Sequence, residues 1–266
     1  MEITWILILI LLGFGLLFGI ICSITGIGGG PFYVAFLILF LSMPITEAID
    51  TSTFIILISS GAALITFINH GRVNLKIALI YSLFSIMGSL LCTLLLFFIQ
   101  IGDVLLKIIF VIVLFVTSAN MVFKILQDRN NRIDIKNHDH NSFYTNFDYK
   151  KNLRYGIPFF ILAGFLANLI GIGGGIIFTP TLHFFLGFPI HCATAVSIAM
   201  TFFTAIVNTL IKIFIGEINY SIGIIIGIGA VIGSYIGAKF SSKVPEIYIQ
   251  SLVAITLAYL AIQMLL

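Results

Sequence analysis

Two identical glycine cassettes are the residues of this sequence best suited to chemistry. Gly26-Ile27-Gly28-Gly29-Gly30 recurs as Gly171-Ile172-Gly173-Gly174-Gly175, and both cassettes interrupt long apolar runs. Glycine permits backbone conformations that other residues avoid, and it leaves the peptide amides bare. A helix that starts just after each cassette would aim its N-terminal amides and the positive end of its dipole at one space, which favours an anion. The predicted binding glycines are Gly28, Gly29, Gly30, Gly173, Gly174 and Gly175.

Small polar residues beside the cassettes form a second candidate group. Neutral donors near a helix start can hold an oxyanion without burying a permanent cation, although any one of them could instead be a helix-packing hydroxyl. The predicted members are Ser23, Thr25, Thr51, Ser52, Asn168 and Ser197. Together with the glycines they make up the predicted binding site.

Charged and metal-binding candidates are few. Glu47 and Asp50 lie at the start of an apolar segment, where they favour capping of a helix N-terminus, with ion coupling as the alternative. Lys212, near a segment end, is expected to snorkel towards water. His138 and His140 resemble a metal-binding patch, but they lie in a polar low-complexity stretch, which disfavours a metal site there. We expect no catalytic residue, no metal site and no cofactor.

The cassettes belong to a repeat that covers most of the chain. Gly26 and Gly171 are 145 positions apart, and many other identical pairs share that offset. They include Gly19 and Gly164, Pro44 and Pro189, Ser52 and Ser197, Asn74 and Asn219, and Gly88 and Gly233. One chain therefore holds two copies of one unit, each broken at the same point, and in a membrane protein such repeats frame a midplane transport site.

The composition places this repeat in a bilayer. Hydrophobic residues make up 60% of the chain and charged residues 9%, which excludes a soluble globular domain. The apolar runs predict ten helical segments, five in each copy. The segments after the cassettes, 31–43 and 176–188, are short. They fit half-helices, re-entrant segments or thin spans.

Charge placement predicts the orientation. Residues 127–153 form the only long polar stretch and separate a first transmembrane repeat, 1–126, from a second, 154–266. If all ten segments cross, eleven of the thirteen basic residues fall on the side of this linker; ten do if the short segments are re-entrant. The positive-inside rule then places the linker in the cytoplasm and both termini outside. Five crossings per copy would make the two repeats inverted.

The pattern resembles the TauE/SafE family of membrane transporters, often called sulfite exporters. The resemblance rests on both cassettes, on the Pro-Ile pairs at 44–45 and 189–190, and on the segments 48–52 and 193–197. The turns at Gly71 and Gly216 complete it. It implies transport of small sulfur-containing or organic anions such as sulfite or sulfoacetate. The second copy departs from the pattern at Ile176 and at Ala195-Val196.

These observations predict an all-α polytopic membrane protein with two inverted five-segment repeats. We expect a prokaryotic plasma-membrane exporter of small anions that works by alternating access. An anion channel is the nearest alternative, and an intramembrane enzyme is a more distant one because no HExxH or GxSxG motif is present. The expected partners are the anionic substrate and the lipid bilayer, not nucleic acid. The chain could be a monomer or a homodimer.

Overall fold

The computed structural model describes residues 5–99, 101–130, 153–241 and 246–265, and all regular structure in these ranges is helical. The predicted all-α fold is thus confirmed for this part of the chain. The helices, in chain order, are α1 (Trp5–Thr25), α2 (Gly30–Leu41), α3 (Ile45–Asn69), α4 (Leu75–Phe98), α5 (Asp103–Asn130), α6 (Leu153–Ile170), α7 (Gly175–Pro180, continued as a π-helical turn over Thr181–Phe185), α8 (Ile190–Ile215), α9 (Tyr220–Phe240) and α10 (Glu246–Leu265).

Six of these helices are long and apolar enough to cross a membrane, within the ranges that the structure describes. They are α1, α3, α4, α6, α8 and α9. By contrast, α2 has 12 residues, which at 1.5 Å per residue spans about 18 Å. A bilayer core is about 30 Å thick, so α2 alone is too short to cross it upright. Most of the predicted 127–153 linker, including His138 and His140, lies outside the described residues.

The helices after the cassettes start alike and end differently. Gly29 and Gly174 are the left-handed residues from which α2 and α7 begin. α2 then runs regularly to Leu41, whereas α7 changes at Pro180, which lacks an amide for the helical ladder. The chain continues as a π-helical turn, in which the Leu186 amide donates to the Thr181 carbonyl.

Helices from the two halves of the sequence pack in pairs through glycine. Gly19 of α1 lies against α9, because a Cβ there would be 2.6 Å from the Ala230 carbonyl oxygen. Gly164 of α6 lies against α4 in the same way, at the Ser85 carbonyl oxygen. Gly164 and Ser85 are the residues that the 145-position offset relates to Gly19 and Ala230. The same type of contact thus occurs twice, and small residues allow the backbones to approach closely.

The described helices therefore join the two halves into one bundle. α1 and α9 form one close pair, and α4 and α6 form the other. α3 packs against both α8 and α9 near the centre. This arrangement carries both cassettes into the interior, where the backbone of Gly28 and Gly173 is buried. The inverted orientation of the two repeats across a membrane stays a prediction.

Candidate functional site

Left-handed glycines define both cassettes. In the first, φ is 75° at Gly26, 83° at Gly28 and 85° at Gly29. The second copies this, with positive φ at Gly171, Gly173 and Gly174. A side chain at such a φ is disfavoured because its Cβ approaches the backbone too closely. The glycines therefore let the chain leave one helix at Thr25 or Ile170 and start the next within a few residues.

The two cassettes lie directly against each other. A Cβ on Gly175 would be 2.6 Å from the carbonyl oxygen of Gly26. A Cβ on Gly30 would be closer than 3.0 Å to the backbone of Gly171 and Ile172. These are the same contact seen from either half, and both fall below the separation that real Cβ atoms show. Only glycine fits at these two positions, so the start of α2 and the start of α7 meet across the cassettes.

Two serines hold this contact from opposite halves. The Ser52 hydroxyl donates to the Gly171 carbonyl at 3.1 Å, and the Ser197 hydroxyl donates to the Gly26 carbonyl at 3.0 Å. Thr179 donates to the same Gly26 oxygen at 3.1 Å. Both serines are fully buried. The predicted site residues Ser52 and Ser197 are therefore brought to the cassettes, each on the cassette of the other half.

Replacing Ser197 by alanine tests this cross-link. We expect the free energy of unfolding to fall by about 1 kcal/mol, the net value of one buried hydrogen bond. Ser52→Ala should also lower stability, although the Ser52 hydroxyl shares its proton with the Ile49 carbonyl of its own helix at 2.7 Å. Thermal unfolding of the purified protein in detergent measures both. A matched control is Ser82→Ala, since Ser82 bonds only within its own turn, to the Leu79 carbonyl. Equal stability of the Ser197 and Ser82 variants would contradict the cross-link.

The cassette amides are left without partners. In the part of the chain that the structure describes, the amides of six cassette glycines donate no hydrogen bond, although all six residues are buried. They are Gly28, Gly29, Gly30, Gly173, Gly174 and Gly175. Buried amides are nearly always paired, because an unpaired one loses its hydrogen bond to water. Two facing helix N-termini with free amides form a donor-rich site.

Two buried hydroxyls near the cassettes also lack a partner among the described residues: those of Thr201 and Tyr33. Thr201 lies between the cassettes, since its Cγ2 atom would be 3.1 Å from a Cβ on Gly28 and 3.3 Å from one on Gly173. The Tyr33 ring lies over Gly29. Neither residue was predicted from the sequence. A signal existed, however. The 145-position offset pairs Thr201 with Ile56 and Tyr33 with Phe178, so each of the two residues has a hydroxyl where the other copy is apolar.

The remaining predicted polar residues make different contacts, and only some of them lie near a cassette. Ser23 is buried and lines a small cavity next to Gly28. Thr25 bonds back to the Ile21 carbonyl at 3.0 Å and so serves its own helix. Asn168 donates to the Ser89 carbonyl at 3.0 Å and to the Thr93 hydroxyl at 2.7 Å.

Thr51 and the two carboxylates lie around a turn rather than at the cassettes. The Thr51 hydroxyl accepts from the Asn219 amide, and Glu47 accepts from the Asn219 side chain, both at 3.0 Å. Asp50 accepts from the Glu217 amide at 2.9 Å. These side chains hold the turn between α8 and α9. The expectation that Glu47 and Asp50 cap their own helix is wrong, because Pro44 begins α3 with no side-chain cap.

Lys212 is also placed differently from the expectation. The sequence predicted that it would snorkel, but its ammonium lies 2.7 Å from the Asp50 carboxylate, and its side chain is only 8% exposed. The ion pair joins α8 to α3. Gly216 follows in the turn between α8 and α9. The Asp50 carboxylate packs directly against this glycine, where a Cβ would collide with it.

Arg72 anchors the turn between α3 and α4. Its guanidinium donates to the Ala238 carbonyl at 3.3 Å and to the Ser241 hydroxyl at 3.1 Å, which ties this turn to the end of α9. Partial burial lowers the pKa of Arg72 from its ordinary value. Within the described ranges, no group of three His, Cys, Asp or Glu side chains is arranged to hold a metal ion.

These features define a class of protein. Several apolar helices long enough to span a bilayer surround two broken helices, whose N-termini meet at unpaired amides. Discontinuous helices of this kind build substrate sites in membrane transporters, and irregular backbone at membrane depth is tolerated where it is covered by protein or lines a cavity. The fold and site are therefore those of a polytopic membrane transporter.

Comparison with known proteins identifies the family. The sulfite exporter TauE/SafE family matches residues 4–264, and the chain belongs to that family. It is 25% identical to a probable membrane transporter protein, YunE, of Bacillus subtilis, over 96% of both chains. It is 27% identical to the probable membrane transporter protein MJ0441 of Methanocaldococcus jannaschii, over 100% of this chain and 98% of that one. A probable membrane transporter protein of Sinorhizobium sp., ORF9, is 29% identical over 93% of this chain and 88% of its own. No solved structure matches the chain. Family and relatives both indicate a membrane transporter.

Proposed function

We propose that the chain exports small anions, sulfite or an organosulfonate such as sulfoacetate, by alternating access at the cassettes. The observation that carries the proposal is the set of buried, unpaired amides at Gly28–Gly30 and Gly173–Gly175. Amides can only donate, and the dipoles of two helices present their positive ends at the same place. An oxyanion, whose oxygens accept several hydrogen bonds, satisfies these donors.

The surroundings suit an anion that must also leave. Thr201 adds a free hydroxyl between the cassettes, and no charged side chain makes a hydrogen bond to a described cassette residue. Binding through neutral donors avoids the permanent buried cation that would hold an anion too tightly for turnover. The buried cation Lys212 is paired with Asp50 rather than with a cassette.

Two further features support a carrier rather than a channel. The cassettes are in direct backbone contact, and the cavity beside Gly28 has a volume of about 10 Å³, room for about one water molecule. A carrier in a closed state has such a centre. The reciprocal contacts of the two halves fit a pair of repeats that rock against each other, and in our proposal these repeats are inverted in a prokaryotic plasma membrane, with the linker in the cytoplasm.

Transport in proteoliposomes tests the proposal. Purified protein should accumulate or release radiolabelled sulfite and sulfoacetate with saturable kinetics, while empty liposomes should not. Failure of the folded protein to move any anion in a panel of sulfite, sulfoacetate, taurine-derived sulfonates and short carboxylates would overturn it. Currents far too large for a stepwise carrier would replace it with the channel.

Thr201→Val is the sharpest variant for this assay. It removes a hydroxyl that bonds to nothing in the described protein, so the thermal unfolding temperature should stay the same or rise. If that hydroxyl donates to the anion, flux at low substrate concentration should fall about tenfold or more, as for a hydrogen bond to a charged group. The matched control is Thr66→Val, because Thr66 is buried and its hydroxyl bonds only to the Ala62 carbonyl of its own helix. Equal flux in both variants would remove Thr201 from the site.

A further inference from the structure

The two cassettes differ in how the space beside them is filled. Beside the first cassette, Ser23, Ser59 and Ser60 of the first half and Ser234 of the second half line a cavity next to Gly28, which we call the hydroxyl cavity. The 145-position offset relates Ser23, Ser59 and Ser234 to Asn168, Thr204 and Ser89, which define the equivalent space for the second cassette. One further position distinguishes the two spaces: Ala63 lines the hydroxyl cavity, and its mate is Asn208.

In the equivalent space for the second cassette, residues of both halves are joined by hydrogen bonds. The Ser89 hydroxyl bonds to the Asn208 side chain, and the Thr204 hydroxyl donates to the Ser85 hydroxyl at 3.0 Å. Asn168 bonds to α4 through the Ser89 carbonyl and Thr93. The hydroxyls of Ser89 and Thr204 and the amide group of Asn168 are thus already engaged with the protein.

The hydroxyl cavity keeps free donors. The hydroxyls of Ser23 and Ser234 form no hydrogen bond within the described residues, and both residues line the cavity. Ser59 and Ser60 donate to the Ile56 carbonyl, so their oxygens are left as acceptors. The two free hydroxyls can therefore donate to a group that enters the cavity.

We infer that the hydroxyl cavity is the substrate-selective part of the transport site, and that the equivalent space for the second cassette is a structural anchor. This inference rests on the proposed function and deepens it. The ligand is a small oxyanion, held by the amide of Gly28 and by the free hydroxyls of Ser23 and Ser234. With room for about one water in the present state, the cavity must widen to admit it, by movement of the α1–α9 pair against α3.

The inference makes opposite predictions for two equivalent serines. Ser234→Ala removes a free hydroxyl, so the unfolding temperature should be unchanged while sulfoacetate flux at low concentration falls about tenfold or more. Ser89→Ala removes a hydroxyl that bonds to Asn208, so the unfolding temperature should fall while flux stays within about threefold of the wild type. Both are measured on purified protein, by thermal unfolding in detergent and by flux in proteoliposomes.

A filled variant gives an independent check. Ser23→Asn combined with Ala63→Asn transfers the side chains of the second half into the hydroxyl cavity. We expect it to fold, to lose flux, and to lose the rise in unfolding temperature that sulfoacetate causes in the wild type. The single variant Ser23→Ala keeps the test valid if the filled one does not fold; it should lose flux as Ser234→Ala does.

The outcomes separate the inference from the function beneath it. If the wild type transports but Ser234→Ala and Ser89→Ala lower flux equally, or the filled variant transports normally, the hydroxyl cavity is not the selective part of the site. If the wild type itself neither transports nor is stabilised by any tested anion, the proposed function fails and this assignment fails with it.

Discussion

Replacing Gly30 by alanine should cost several kilocalories per mole of stability. The added Cβ would fall closer than 3.0 Å to the backbone of Gly171 and Ile172. Backbone atoms cannot rotate away as a side chain can, so the two cassettes must separate. Overpacking in protein interiors costs about 1–3 kcal/mol, and more where the neighbour cannot yield.

Gly175→Ala should behave in the same way, because its Cβ would lie 2.6 Å from the Gly26 carbonyl oxygen. The measurement is thermal unfolding of detergent-purified protein, where about 3 kcal/mol corresponds to roughly 10 °C for a chain of this size. Flux should be lost as well, since the free amides no longer converge. Bulky residues at Gly29 or Gly174, where φ is 85° and 76°, should abolish flux more than they reduce expression.

Gly13→Ala is the matched control for these variants. Gly13 lies in α1, and a Cβ there would meet no atom within 4 Å. Alanine favours a helix over glycine by about 1 kcal/mol, so this variant should be as stable as the wild type or more so. If Gly30→Ala unfolds at the same temperature as Gly13→Ala, the cassettes are not in the contact described here.

The local features of this site could be predicted from the sequence. Four glycines within five residues cannot continue a helix, so the cassettes were expected to end one helix and start the next. The structure places those breaks at Thr25 and Gly30, and at Ile170 and Gly175. Ser52 and Ser197 were predicted from their position after the short segments, and both contact a cassette.

The contacts across the two halves could not be predicted in the same way. Periodicity and breakers describe one segment at a time, whereas Asp50 and Lys212 meet only because α3 packs against α8. Glu47 and Asp50 were expected to cap α3, but a turn from the other half offers donors at the same place. Thr201 was missed for a similar reason. A single threonine in a helix gives no sign of a site in the sequence, and only the packing of α8 places it against both glycine cassettes.

The offset between the repeats held more information than the identical residues alone. Identities located the cassettes, but differences between mates located the unpaired hydroxyls, as with Thr201 against Ile56 and Tyr33 against Phe178. In a duplicated protein, positions kept in both copies maintain the shared architecture. A position that is polar in one copy and apolar in the other does not maintain that shared architecture, and two such positions here carry hydroxyls without a hydrogen-bond partner among the described residues.

Breaking the ion pair of Lys212 and Asp50 is the second change with a large expected effect. The ammonium and carboxylate are 2.7 Å apart, with side chains 8% and 15% exposed. Removing one partner of a buried pair costs about 3–5 kcal/mol, because the other charge is left without compensation. Asp50→Asn strands the more deeply buried Lys212. Lys212→Met should cost less, because Asp50 keeps its hydrogen bond from the Glu217 amide.

The double variant Asp50→Asn with Lys212→Met distinguishes a charge effect from a packing effect. It leaves no unpaired charge, so it should recover most of the stability lost by Asp50→Asn alone, and thermal unfolding of all four proteins gives the coupling energy. Lys107→Met is the control, because Lys107 is exposed on α5 and should change stability by less than about 0.5 kcal/mol. Losses that simply add would mean that the two side chains do not depend on each other.

The same double variant separates anchoring from ion coupling at Asp50. If the pair only ties α3 to the α8–α9 turn, flux of the stabilised double variant should respond to a pH gradient as the wild type does. If Asp50 carries a coupling proton, that response should disappear even though the protein is folded and still moves anion. We expect the first result, because both carboxylate oxygens are already occupied, one by Lys212 and one by the Glu217 amide.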